Sequence, residues 1–157
     1  MYKYLFAVVI FYSCNRSPVD SWKSLDLLPH GVPLKVLAPL PDSAKVNKSD
    51  MGTILQDITI KNGDDYFIQI FATQAETTDL AKIKAAQMAD VKSNRFYSKI
   101  VKEEEAGFIY ELMIDSANVN YGFRFIKIQG GMEYIFQPGM SGIFTLDQAQ
   151  NMYKGVQ

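Results

Sequence analysis

Apolar residues along this chain recur at two spacings, every second residue over most of its length and near every third or fourth in two stretches. Thr53 to Lys61 alternates, with Ile54, Ile58 and Ile60 on one face and Asp57, Thr59 and Lys61 on the other, which predicts a half-buried strand. Asn62-Gly63 follows, a pair that tolerates the positive φ of a tight hairpin. The return strand, Tyr66 to Ala72, carries Tyr66, Ile68 and Ile70 on one face and Phe67 and Phe71 on the other, so both faces should be covered. The period then lengthens. Leu80, Ile83, Met88 and Val91 form one stripe of a helix ending near Ser93, with a threonine of Thr77-Thr78 placed to cap it. Four strands should follow: Tyr97–Glu103, Gly107–Asp115, Asn120–Gln129 and, after the Gly130-Gly131 turn, Met132–Gln137. Thr145-Leu146-Asp147-Gln148 has the spacing of a capping box and opens a second helix to about Lys154. Before all of this, Pro29, Pro33, Pro39 and Pro41 leave room only for a short edge strand, Leu34–Ala38, and Asp42 to Asp50 reads as a polar loop.

Strand, hairpin, helix, four strands and helix make an α+β domain. Its antiparallel, meandering sheet should be covered by a long central helix and a C-terminal helix. The order of elements resembles the PsbP-like family, named after an extrinsic subunit of photosystem II. The resemblance is carried by Val32–Val36, Ile58–Phe71, Thr78–Asn94, Phe108–Met113, Tyr121–Ile128, Tyr134–Phe136 and Thr145–Tyr153. It is a likeness of pattern without a signature motif, so it implies the fold and transfers no activity.

The N-terminus breaks the pattern. Lys3 precedes an apolar run from Leu5 to Phe11, shorter than the roughly 20 residues a spanning helix needs, and Tyr12-Ser13-Cys14 follows. This looks like a bacterial lipoprotein signal, with a small residue directly before the lipidated cysteine, although Phe11 and Tyr12 depart from the usual leucine and small residue. The expected organisation is a signal peptide over 1–13, a polar tether over 14–26 and one globular domain over 27–157. Cys14 is the only cysteine, so no disulfide can form within one chain. The alternative for the same residues is a buried strand with an inert thiol. Asn15 is not the aspartate that retains some lipoproteins at the inner membrane, which favours an outer membrane anchor facing the periplasm.

Composition narrows the chemistry. With 48% hydrophobic residues the chain can build a core, and its net charge of −1 offers no basic track for nucleic acid. His30, between Pro29 and Gly31, is the only histidine, so neither a transition-metal site nor a histidine-based triad is readable. No Gly-x-Ser-x-Gly elbow, dinucleotide fingerprint or phosphate loop occurs, and Gly139-Met140-Ser141-Gly142 reads as a turn. Asn62-Gly63-Asp64-Asp65 lacks the length of a calcium loop, and Glu103-Glu104-Glu105 reads as a solvated strand end. Glu111 and Glu133 would serve hydrolysis only if the meander brought them together.

The aromatic residues remain. Tyr110, Tyr121, Phe123, Phe125, Tyr134 and Phe136 fall on consecutive strands, as core between sheet and helices or as a face that meets a ligand or partner. Tyr66, Tyr121 and Tyr134, with Arg124 beside them, are the candidate partner-binding anchors. The expected protein is a lipid-anchored envelope domain with a binding or structural role, without catalysis or cofactor, held to the membrane through Cys14 and engaging another envelope protein. The alternative is a domain that takes a small apolar or carbohydrate ligand between sheet and helix, and a hydrolase comes third. A solid core with a surface patch favours a protein partner, a cavity lined by tyrosines a ligand, and a cleft with two convergent carboxylates an enzyme.

Overall fold

Short polar segments open the folded body of the computed structural model, which describes residues 17–52 and 54–157. Pro18–Ser21 forms a 3-10 turn, and β1 (Lys23–Asp26) pairs antiparallel with β2 (Lys35–Ala38) as a separate two-stranded sheet. Residues 17–26, expected as tether, therefore belong to the folded body. Val19 is buried and Trp22 packs edge-on to Tyr66 at 5.3 Å between ring centroids, which holds the segment down. The lipoprotein signal expected to end at Cys14 lies outside the described residues.

The main sheet contains β3 (Lys45–Met51), β4 (Leu55–Asn62), β5 (Tyr66–Gln74), β6 (Tyr97–Glu104), β7 (Gly107–Met113), β8 (Val119–Gln129) and β9 (Met132–Pro138). Its seven strands run in the order β3-β4-β5-β9-β8-β7-β6, antiparallel throughout. Two consecutive meanders, β3 to β5 and β6 to β9, thus meet along one seam where β5 pairs with β9. Gly63, Gly130 and Gly131 have φ of 69°, 61° and 76° and make the two hairpins that the sequence marks. The polar stretch from Asp42 contains β3, which the alternation does not announce. As an edge strand it half-buries only Val46 and Lys48, and its polar residues discourage pairing with another chain. Ile54 falls in the turn before β4 and is exposed, whereas Ile58 and Ile60 are buried as expected.

One face of the sheet packs on α2 (Leu146–Val156) and on the small sheet. Tyr66, Ile68, Ile70, Phe123, Phe125, Phe136, Met152 and Tyr153 meet there with Val36 and Leu34 in the main core. The capping box of α2 forms, with the Thr145 hydroxyl accepting from Gln148 N and Gln148 Oε1 accepting from Thr145 N. The other face meets α1 (Leu80–Ser93). Expected as a long central cover, α1 is 14 residues long and buries only Ile83 and Val91, so it shields part of that face. Its cap is the Asp79 carboxylate, which accepts from Lys82 N, and Thr77 supports Asp79 instead. Lys84, which interrupts the apolar stripe, bonds the Glu104 carbonyl at 2.8 Å and the Glu103 carboxylate at 3.0 Å, tying α1 to β6. The domain is α+β with the sheet dominant.

Candidate functional site

Because α1 is short, it splits its own side of the sheet into two small apolar clusters, Ile83 with Ile126 and Ile135, and Val91 with Phe108 and Tyr110. Alternation sends Arg124, Gly122 and Asn120 of β8, Ile135 and Gln137 of β9, and Phe71 of β5 to the same side. An open groove of about 660 Å³ results, bounded by the C-terminal half of α1 (Gln87, Asp90) with its capping Asn94 and by the Pro138–Phe144 segment.

Gly122 shapes the floor. A Cβ there would overlap the outer ring atoms and hydroxyl of Tyr110, so the ring can lie flat across β8 only because this residue has no side chain. Tyr110 in turn receives Arg124, whose Nη1 donates to its hydroxyl at 3.2 Å. The Arg124 side chain is 13% exposed, faces Asp90 at 3.7 Å, and has a buried Nε without a partner among the described residues. Gln137 is held by a relay: its Nε2 donates to Gln69 Oε1 at 3.2 Å, and Gln69 Nε2 donates to both Asp57 oxygens at 2.9 Å. That uses one N–H of the Gln137 amide and leaves its second N–H and its carbonyl oxygen for the groove. Asn120 clasps the far wall, accepting from Phe144 N at 2.8 Å. Gly142 N donates to the Gly139 carbonyl, making the turn expected there. Glu133, at the other end, has its carboxyl pushed up by burial and by the charge of Glu76.

The four anchors expected from the sequence part company. Tyr66 is 1% exposed, with its hydroxyl donated to the Leu37 carbonyl at 2.8 Å, and Tyr134 is 3% exposed in the same core. Neither can serve as a surface anchor, because even positions of β5 and β9 face α2. Arg124 and Tyr121 both border the groove. The Tyr121 hydroxyl lies near the Glu111 carboxylate across the strand pair, and that carboxylate accepts from Ser98 Oγ at 2.8 Å and Lys99 Nζ at 3.3 Å. These donors, Ser98 first, hold the Glu111 carboxyl below its ordinary range. Glu111 pairs across from Tyr121 on the α2 side, whereas Glu133 lines the groove, so the two carboxylates lie on opposite faces and form no catalytic pair.

Gln137, Asn120 and Gly122 were not singled out by sequence reasoning. Gly122 carries a readable sign, an isolated glycine within an alternating strand. The amides read as ordinary outward polar positions. His30 is exposed in a 3-10 turn, and no group of three or more potential metal ligands occurs among the described residues. No helix among them is long and apolar enough to cross a membrane. No family model, curated protein or solved structure matches the chain.

Proposed function

We propose that the protein is a lipid-anchored binding domain of the cell envelope, without catalysis, whose groove takes a small hydroxyl-rich ligand of the carbohydrate class. The observation that carries this reading is the groove itself, where amides and aromatic rings share one wall-to-wall space. Gln87, Asn94, Asn120 and Gln137 stand around Phe71, Tyr110 and Phe144. Planar amides bond vicinal hydroxyls through a donor and an acceptor at once, and the half-buried Phe71 ring offers an apolar face to a sugar, with the buried Tyr110 and Phe144 rings backing the floor and far wall. The volume lies within the range of small-molecule sites. The reading in which tyrosines form a protein-binding patch loses two of its three tyrosines to the core. A hydrolytic reading lacks a free carboxylate pair, since Asp90 is engaged by Arg124 and Glu111 sits on the other face. The lipid anchor on Cys14 and the PsbP-like likeness remain parts of this proposal, supported by the N-terminal residues and by the order of elements.

The test is saturation-transfer NMR on the full-length protein in lipid nanodiscs, with a panel of neutral mono- and disaccharides. Transfer to at least one sugar is expected, and Gln137→Leu should weaken it without unfolding the domain. Equal signals from the wild type and from Gln137→Leu, or none from any sugar, would overturn the carbohydrate reading.

A further inference from the structure

The strand register places three connections at one end of the main sheet. The turn Asn62–Asp65, the β7–β8 loop after Met113 and the Pro138–Phe144 segment all lie there, because Met113 pairs with Val119 and Ile68 with Pro138. The described chain enters at the same end. Pro18 and Pro39 line a hollow with Asn62, Gly63 and Asp64, and Asn62 Nδ2 donates to the Leu40 carbonyl at 2.6 Å. Five of the exposed large apolar side chains cluster at this end: Leu40, Met113, Ile114, Met140 and Ile143. Met140 and Ile143 are 76% and 73% exposed; Met140 lines the groove, and Ile143 lies between Gly142 and Phe144, which also line it. Isolated apolar side chains on a surface are ordinary, but several on adjacent loop tips form an insertion surface.

What lies against them follows from chain length. Cys14 precedes Ser17 by three residues, and an extended chain covers at most about 3.6 Å per residue, so a lipid on Cys14 stands within roughly 11 Å of Ser17. The opposite end, with Leu28, Met51 and Ile54, is a full strand length away, about 30 Å for a nine-residue strand such as β5. We infer that this end of the sheet rests on the bilayer, with Met140, Ile143 and Ile114 dipping into the lipid interface and the mouth of the groove held beside the headgroups. The inference depends on the lipid anchor proposed above. Asp42, Asp64, Asp65 and Asp115 at this end are matched by Lys45, Lys61, Lys92 and Arg95, a near balance with which a zwitterionic interface is compatible.

The experiment uses the full-length processed protein in phosphatidylcholine vesicles, with Ile143→Cys, Met140→Cys or Ile54→Cys carrying an environment-sensitive thiol dye. A thiol bound to lipid takes up no dye even in denaturant, whereas a buried free thiol does, so a denatured wild type that stays unlabelled reports the anchor independently. With the anchor present, dye at 143 and 140 should be blue-shifted and quenched several-fold more by spin-labelled lipid than dye at 54. Equal quenching at both ends, or more at 54, overturns the orientation while leaving the anchor standing. Dye uptake by the wild type overturns the anchor and the orientation with it. Shielding of 143 from aqueous iodide that grows with protein concentration, without lipid quenching, assigns this end to a second copy and overturns the bilayer.

Discussion

Replacing Gly122 with alanine sets two well-measured effects against each other. In an extended strand, glycine is disfavoured relative to alanine by about 0.5–1 kcal/mol, so backbone entropy alone predicts that Gly122→Ala stabilises. The structure predicts the opposite sign, because the added Cβ would overlap the outer ring of Tyr110. Tyr110 is buried and held by Val91 and Phe108 on one side and by Arg124 on the other, so the ring cannot simply swing away. Overpacking of this kind costs about 1–3 kcal/mol, which leaves a net loss of about 1 kcal/mol and a Tm lower by about 3 °C. The second half of the cycle is Tyr110→Leu, which removes the outer ring atoms and hydroxyl that the Cβ would meet. In that background Gly122→Ala should stabilise by about 0.5 kcal/mol or more, as the propensity alone requires. Urea unfolding followed by circular dichroism on the four proteins measures both arms, with m-values compared to show that the unfolded states match. If Gly122→Ala stabilises the wild type, or costs the same in both backgrounds, the ring does not lie on this glycine and the floor of the groove is misassigned.

Tyr66→Phe should cost about 1 kcal/mol, since the Leu37 carbonyl loses its donor, and Tyr66→Ala about 3–5 kcal/mol; thermal melts that show no loss for alanine would return Tyr66 to the surface. Glu111 has a folded-state carboxyl pKa below its ordinary value of 4.5, so its stabilising effect is present above that value and is lost as pH falls through the folded value. The stability gap between wild type and Glu111→Gln, read by denaturation from pH 7 to pH 3, should therefore close in acid. Glu133 is raised instead, so its ionisation opposes folding as pH climbs above 4.5. Glu133→Gln should accordingly stabilise at pH 7 and be neutral near pH 3 in the same titration. Limited proteolysis should stop short of Pro18, because Val19 and Trp22 pack on the body; rapid cutting between Lys23 and Asp26 would restore the longer tether.

Alternation made most of the sheet readable because a half-buried strand must alternate. Ile58 and Ile60 against Asp57 and Thr59 left little freedom, and Asn62-Gly63 allowed few backbones besides a hairpin. β1 and β3 escaped because they bury almost nothing: Lys-Ser-Leu-Asp and Lys-Val-Asn-Lys-Ser-Asp-Met become strands by pairing with a neighbour that local sequence cannot see. The same blindness explains the split among the candidate tyrosines. Tyr66, Tyr121 and Tyr134 look alike in sequence, and only the position of α2 decides which of them is covered. The groove is a property of what α1 fails to cover, so its amides carried no sign before the helix was placed. Gly122 alone offered one.

The seam between β5 and β9 joins two halves that are each built from near neighbours in the chain, with α1 as the connection between them. Each meander can pair its own strands quickly, while the seam waits for a long loop to close, so joining the halves should be the slow step of folding. Nothing in the pairing of Ile68 with Pro138 or Gln74 with Met132 requires both strands to come from the same molecule. At high concentration, a β5 strand awaiting its own β9 can accept that of another copy, giving a strand-exchanged dimer with every native contact kept. Refolding from dilute solution should then yield monomer, and refolding from concentrated solution a slowly reverting dimer.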